Sequence, residues 1–557
     1  MSGGISTRTA VKDPVGGLVK GESLEYSMEG PGKAKPRKFY QFWEALGTRY
    51  AVPNNDLQSV LHAIIERVFY VKKDGVFQRP PMFKANKCRV RHFLKGVANK
   101  AGMLFPCSPE EFCERYVGNK RRLYTNACSS LMKEGLTYMD SVIRCFTKAE
   151  YIKPGGVPRL IQPRQPRYNA CLGCFLSPNE HKIFAAIDTY MHVDLGMPQE
   201  RTIAKGMNMN ARGEAISDMW NSYDDPVAIG LDAARFDQHI NETLLELEHS
   251  LYLDLFGDVE GPIGDVKLST MLKWQRRNRC IWGDRENRVM YKTKGCRMSG
   301  DMNTSLGNII IMTMLWATFK RETSLRFSLL NDGDDSCVVC SRRTAKKIVK
   351  QVEAFFLEFG ITMVVEGVFD TMEEITFCQA KPVYNGSSWY LCPNPHKRVF
   401  SDINAIKDLS SAKTMNALLG AVAACGLACN GNTPILNELY KKMGTGVKLY
   451  IPDRRHHLYK FRQELLDGMQ PKFVEPTMEH RISFSLAFGI SPGNQLLLEE
   501  FLRGLPTIHH CLIRPTGIKP SVLEMFDPVF KESDDYEGSE SCVLPATFPP
   551  NLTSRIE

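Results

Sequence analysis

Phe327-Ser328-Leu329-Leu330-Asn331-Asp332-Gly333-Asp334-Asp335-Ser336-Cys337-Val338-Val339-Cys340 is the stretch whose reading decides the fold. Two apolar, β-forming runs flank a short acidic turn, which predicts a hairpin with Asp334 and Asp335 pushed out together at its apex. Taken alone the motif is weak, because acidic turns are common and most are solvated loop tips. Adjacent carboxylates repel unless a cation sits between them. Mg²⁺, hard and oxygen-seeking, suits such a pair.

Working outward, Ala228-Ile229-Gly230-Leu231-Asp232 is a second apolar run ending in a carboxylate, followed by Ala233-Ala234-Arg235-Phe236-Asp237. A strand here, paired beside the hairpin, would set Asp232 across the sheet from Asp334. Three carboxylates would then converge, a set able to hold two divalent ions about 3.5 to 4 Å apart, as in nucleotidyl transfer.

Between these segments Ser299-Gly300-Asp301-Met302-Asn303-Thr304-Ser305-Leu306-Gly307-Asn308 runs into the apolar stretch Ile309 to Trp316. The pattern predicts a loop opening a buried helix. Thr304 and Asn308, four apart, would share a face and offer a hydroxyl and an amide to one ligand. The plainer reading is a core helix with capping residues in its first turn.

In this order the three segments resemble motifs A, B and C of viral RNA-dependent RNA polymerases. The strings Leu231 to His239, Gly295 to Asn308 and Phe377-Cys378-Gln379 resemble the polymerases of tombusvirus-like plant viruses, including luteovirus and umbravirus types. The resemblance implies an α+β fold, a closed right hand with fingers, an antiparallel palm sheet and a mainly helical thumb. It implies that Asp232 and Asp334 are the principal metal ligands, with Asp335 assisting, for two ions of Mg²⁺ or Mn²⁺. Asp237, Ser299, Thr304 and Asn308 match positions around the incoming ribose, where acceptor, hydroxyls and amide would favour a ribonucleotide over its deoxy analogue. Gly300 would let its loop flex near the template.

Phe146 to Glu150 and Val157 to Tyr168 form a basic, proline-punctuated stretch, read as extended chain. It resembles motif F, which implies that Lys148, Arg159, Arg164 and Arg167 meet the triphosphate; forked guanidinium groups suit phosphates. Glu150 is expected to pair with a neighbouring base. Glu374 to Tyr384 and Ser388 to Leu391 flank Asn385-Gly386, a hairpin signal. This resembles motif E, which implies that Phe377, Cys378 and Gln379 contact template or primer. The motif D lysine is missing from Gly360 to Glu366, with Lys346, Lys347 and Lys350 on the amphipathic stretch before it.

The chain has 557 residues and a formal charge of +9, so length allows several subdomains and only clustered bases matter. Bases cluster from Lys84 to Lys100, at Lys120-Arg121-Arg122, along motif F and at Arg454-Arg455-His456-His457, where phosphate backbones would bind in a salt-dependent way. Tyr168, Phe236 and Tyr459 could stack on bases, with core packing the default. Seventeen scattered cysteines, odd in number, suggest a reducing compartment, and the close pairs Cys171/Cys174, Cys337/Cys340 and Cys425/Cys429 read as buried small hydrophobes. No secretory signal is visible, and the longest apolar run, Ala417 to Cys429, is too short to span a bilayer.

The expected division is a flexible arm over 1–40, fingers over 41–199 with motif F at 146–168, and palm over 200–240. A fingers insertion over 241–297 carries Trp274, Arg276, Arg277 and Arg279 towards the template. Palm resumes over 298–392, followed by thumb over 393–531 and an acidic disordered tail over 532–557. The implied partners are a single-stranded RNA template, ribonucleoside triphosphates and an upstream-encoded or separate viral membrane-anchoring protein. The implied location is host cytoplasmic, at membrane-bound replication complexes, with de novo initiation. A reverse transcriptase shares the palm carboxylates, and a non-enzymatic RNA-binding replication factor would need them only as solvated turns.

Overall fold

The structure is a computed structural model that describes residues 4–11, 14–29, 36–43, 46, 50–284, 286–406, 409, 411–451 and 469–508. The basic cluster at 454–457, Tyr459 and the 532–557 tail lie outside the described residues. At the centre is an antiparallel sheet in the order Ser328–Asp332, Asp335–Ser341, Pro226–Ala233, Met363–Phe369. Its apolar runs are unbroken because both faces are covered. Alternate side chains point to opposite faces. Ile229, Leu329, Val338 and Cys340 enter one core, while Ala228, Leu330, Cys337 and Val339 enter another.

The first core is closed by the Thr304–Thr323 helix, buried continuously from Leu306 to Lys320, and by the Arg342–Glu358 helix, which brings Ile348, Val352 and Phe356. The second is closed by the Met209–Asn221 helix through Ile216 and Met219. The sheet is thus sandwiched, and its first three strands in that order carry Asp332, Asp335 and Asp232 at one end. Lys346, Lys347 and Lys350 lie on the exposed side of their helix.

A second four-stranded sheet runs Ser23–Met28, Asn287–Lys294, Arg277–Gly283, Ile143–Arg144. It ties part of the expected arm over residues 1–40 to the body of the protein. Ser23–Met28 pairs along the open edge of Asn287–Lys294, which would otherwise present unpaired backbone groups. Gly4–Ile5 pairs with Val52–Pro53, the Thr9 hydroxyl donates to Glu66 at 2.7 Å, and Arg37 reaches the Thr147 and Lys148 carbonyls at 2.6 and 3.1 Å.

Beyond the central sheet Ala380–Tyr384 and Trp389–Pro393 form the expected hairpin. Its connection is the four residues 385–388, because the Asn385 side chain accepts from the backbone of Ser387 and Ser388. Helices follow at Ala412–Asn430, Leu436–Met443, Met478–Phe488 and Pro492–Gly504. The first exceeds the apolar run seen in sequence: among the described residues it is the one helix long and apolar enough to cross a membrane, with 56% of its apolar window buried. Met415, Leu419, Ala423 and Leu427 pack it into its own core. Among the described residues no disulfide links the cysteines, and Cys171, Cys174, Cys337, Cys340 and Cys425 are buried.

Candidate active site

The acidic turn is built by its own neighbours. Asn331, fully buried, donates through Nδ2 to the Gly333 and Asp335 carbonyls at 2.9 and 3.0 Å. Gly333 takes φ +85°, a region that side chains disfavour. The hairpin is closed by Gly333-Asp334, and Asp335 starts the return strand. The strand register corrects one expectation: Asp232 lies opposite Asp335, not Asp334. Asp335 is in turn opposite Asp332. Directly paired residues share a face, so Asp332, Asp335 and Asp232 form a row across three strands, with Asp334 beside it at the turn.

Arg212 on the Met209–Asn221 helix meets this row at one end, donating from Nη2 to Asp332 Oδ2 at 2.6 Å and from Nη1 to Cys378 Sγ at 3.2 Å. The remaining carboxylates stand on the floor of the cleft, reached by solvent but walled by protein. Burial, then the charges of Asp237, Asp232 and Asp332, pushes the Asp334 carboxyl up to about 6. Burial, then Asp334, Asp332 and Asp232, pushes Asp335 up to about 7. Carboxylates that resist ionisation beside one another form a site short of positive charge. Their all-oxygen donor chemistry fits a hard divalent cation. Among the described residues no group of three or more His, Cys, Asp or Glu is gathered closely enough to hold a metal ion.

Next to the row, Asp237 is held by two of the expected partners. The Ser299 hydroxyl donates to Oδ2, and Asn308 Nδ2 donates to Oδ1 at 2.8 Å. Thr304 is placed differently: its hydroxyl donates to the Met298 and Asp301 carbonyls at 2.9 and 3.0 Å. It therefore closes the loop ahead of the helix, whose N-cap residue, Asn303, makes no side-chain capping bond.

A cavity of about 200 Å³ joins Asp237, Ser299 and Asp334 to Lys148, Arg159, Arg67 and Arg235, with Arg297 also in its lining. Glu150 lies between two of these, accepting from Arg159 Nε at 2.6 Å and facing Lys148 Nζ at 3.2 Å. Glu150 first, and then the charges of Asp334 and Asp237, raise the Arg159 pKa. Arg67 and Arg235 went unassigned in the sequence reading. Arg235 sits in left-handed backbone at φ 49° between Asp232 and Asp237, and Arg67 is pushed down to about 10 by burial and by the charges of Arg235 and Arg159.

Other expected residues lie elsewhere. Arg164 is buried against Asp301 at 2.6 Å and donates to the Ser141 carbonyl at 2.8 Å, so its fork is spent inside the protein. Arg167 is spent likewise on Asp140 at 2.9 Å, Ser130 and the Gly135 carbonyl. The extended stretch ends earlier than expected, because Pro166 starts the Pro166–Leu176 helix. Gly300 stands at φ +136°, where a Cβ would come within 3.0 to 3.1 Å of the Gln162 and Pro163 backbone. Phe377 is buried. Gln379 opens onto a second cavity, of about 650 Å³, shared with Arg159 and Lys397. Tyr168 and Phe236 are core residues, Trp274 packs against Tyr138 and Tyr168, and Arg276 and Arg277 pair with Glu246 and Glu242.

A family profile described as viral RNA dependent RNA polymerase matches residues 25–508. The chain is 35% identical over 462 residues to an RNA-directed RNA polymerase of Tobacco necrosis virus (strain A), covering 81% of this chain and 61% of that protein. It is 34% identical over 521 residues to that of Tobacco necrosis virus (strain D), covering 90% and 68%. It is also 34% identical over 512 residues to that of Tomato bushy stunt virus (strain Cherry), covering 90% and 60%. The chain thus spans roughly three fifths to two thirds of the length of these relatives.

Proposed function

The chain belongs to the viral RNA-dependent RNA polymerase family, and from that premise we propose that it copies single-stranded, positive-sense RNA from ribonucleoside triphosphates. The observation that carries the reading is the meeting, around one cleft, of the carboxylate row with the Asp237 set and the basic side chains of the cavity. Asp232, Asp334 and Asp335 do not stand as a gathered metal group in this structure; drawn together by two divalent ions, Mg²⁺ or Mn²⁺, they would be the ligands, and the ions would supply activation of the attacking hydroxyl and stabilisation of the leaving pyrophosphate.

The protein's own groups do the rest. Lys148, Arg159, Arg67 and Arg235 receive the triphosphate and align its reacting phosphorus. Glu150 shares Arg159 and Lys148 until phosphate displaces it. Asp237, Ser299 and Asn308 face the ribose, and a deoxy substrate leaves their buried polar atoms unpaired. Arg212 neutralises Asp332 and so reserves the other carboxylates for cations.

The family's right hand is taken as closed, with fingers over 41–199 and 241–297, palm over 200–240 and 298–392, and thumb from 393. Initiation is de novo, and host membranes are reached through a region or partner outside this chain. Offering purified protein ribo- and deoxyribonucleotides on single-stranded RNA tests the reading: preferential ribonucleotide incorporation is expected, and preference for deoxynucleotides would make the protein a reverse transcriptase instead.

A further inference from the structure

Beneath the Asp237 set lies an almost fully buried ion pair. The Arg297 guanidinium forks onto Glu248, and both side chains are at most 1% exposed. Glu248 also accepts from Asn303 Nδ2 at 2.7 Å and the Tyr252 hydroxyl at 2.8 Å. Nothing larger than glycine fits above the pair: a Cβ on Gly307 would lie 2.2 Å from Glu248 Oε1 and 2.5 Å from Arg297 Nη2.

One bond leaves this network for the cleft. Arg297 Nε donates to Asn308 Oδ1 at 3.0 Å. A guanidinium only donates, so the bond fixes which end of the Asn308 amide faces it. With Oδ1 committed to Arg297, Nδ2 is turned to Asp237. The reversed amide would set NH₂ against a guanidinium and oxygen against a carboxylate, two repulsive contacts in place of two hydrogen bonds. The backbone reinforces the alignment, since the Arg297 N–H donates to the Asp237 carbonyl at 2.9 Å.

We infer that Arg297 is a positioning residue for sugar selection: it holds the Asn308 amide as a donor towards Asp237 and thereby fixes the group that tells ribose from deoxyribose. The inference rests on Asp237, Ser299 and Asn308 being the ribose-facing set. Lysine at 297 keeps a positive charge for Glu248, but its single ammonium cannot span both Glu248 and the Asn308 oxygen.

The test measures kcat/KM for matched ribo- and deoxyribonucleotides, with the thermal unfolding midpoint measured alongside. Arg297→Lys should fold and lose about tenfold of the ribo/deoxy ratio, the worth of one buried hydrogen bond. A purely structural role would lower the midpoint and the total rate without moving the ratio. Asn308→Asp, assayed at alkaline pH so that its carboxylate is ionised, leaves the ion pair alone and still accepts from Arg297 but cannot donate to Asp237, and should lose the ratio as far as Asn308→Ala does; this keeps the question answerable if the lysine variant does not fold. A wild-type ratio in folded Arg297→Lys, or in Asn308→Asp, overturns the inference. Wild-type ratios in both Ser299→Ala and Asn308→Ala would instead remove the ribose reading, and the inference with it.

Discussion

Asp334→Asn should make the metal-free protein more stable above pH 6 and leave it unchanged near pH 4. The carboxyl is raised from an ordinary 3.8 to about 6, first by burial and then by Asp237, Asp232 and Asp332. Two units convert to about 3 kcal/mol. The carboxylate is open to solvent in the cleft, and screening reduces that to about 1 to 1.5 kcal/mol. The sign follows from the folded pKa lying above the unfolded one: the stability is fully present below about 4, and falls as pH rises to about 6, because the unfolded chain sheds its proton first. Above that the penalty is constant. Asparagine has the same shape and no proton to lose. Urea unfolding in chelator should give matching midpoints near pH 4 and a higher midpoint for the variant at pH 8. Adding Mg²⁺ at pH 8 should close the gap by stabilising wild type alone. A variant equal to or less stable than wild type at pH 8 in chelator would refute the reasoning, since the carboxylate would then be at ease without a cation.

Arg164→Met should cost about 3 to 5 kcal/mol by stranding buried Asp301, seen as a collapse of the unfolding midpoint. Arg159→Ala, at a side chain 54% exposed, should leave the midpoint within about 0.5 kcal/mol while raising the KM for nucleotide about tenfold; an unchanged KM would remove Arg159 from the triphosphate. Gly300→Ala should cost about 1 to 3 kcal/mol, because a Cβ at φ +136° meets the Gln162 and Pro163 backbone; thermal unfolding reads it directly.

What was legible in the sequence was local. The hairpin, the strand ending at Asp232 and the Thr304–Thr323 helix each announce themselves by an apolar run with a carboxylate or a Ser-Gly turn at one end. Asp237, Ser299 and Asn308 meet as the family resemblance implies. What was not legible depends on a distant partner. Arg159 and Arg164 look alike in sequence, and only Asp301, 137 residues from Arg164, separates a cavity cation from a buried one. The docking of Ser23–Met28 needs an edge strand more than 250 residues away. Register likewise decides that Asp335, and not Asp334, faces Asp232. Arg235 and Arg297 stood inside the quoted strings, and a base embedded between acidic or polar site residues was the signal passed over. Arg67 and Arg212 carry no local mark at all.

Under the proposed function, the cleft carboxylates Asp232, Asp334 and Asp335 drive templated RNA synthesis. The most direct test is ribonucleotide incorporation on a single-stranded RNA template, with Mg²⁺ or Mn²⁺, by purified wild type and by Asp334→Ala prepared identically. Product complementary to the template from wild type, and a loss of at least about a thousandfold in the variant, is the predicted result. Equal product from both proteins would contradict the account.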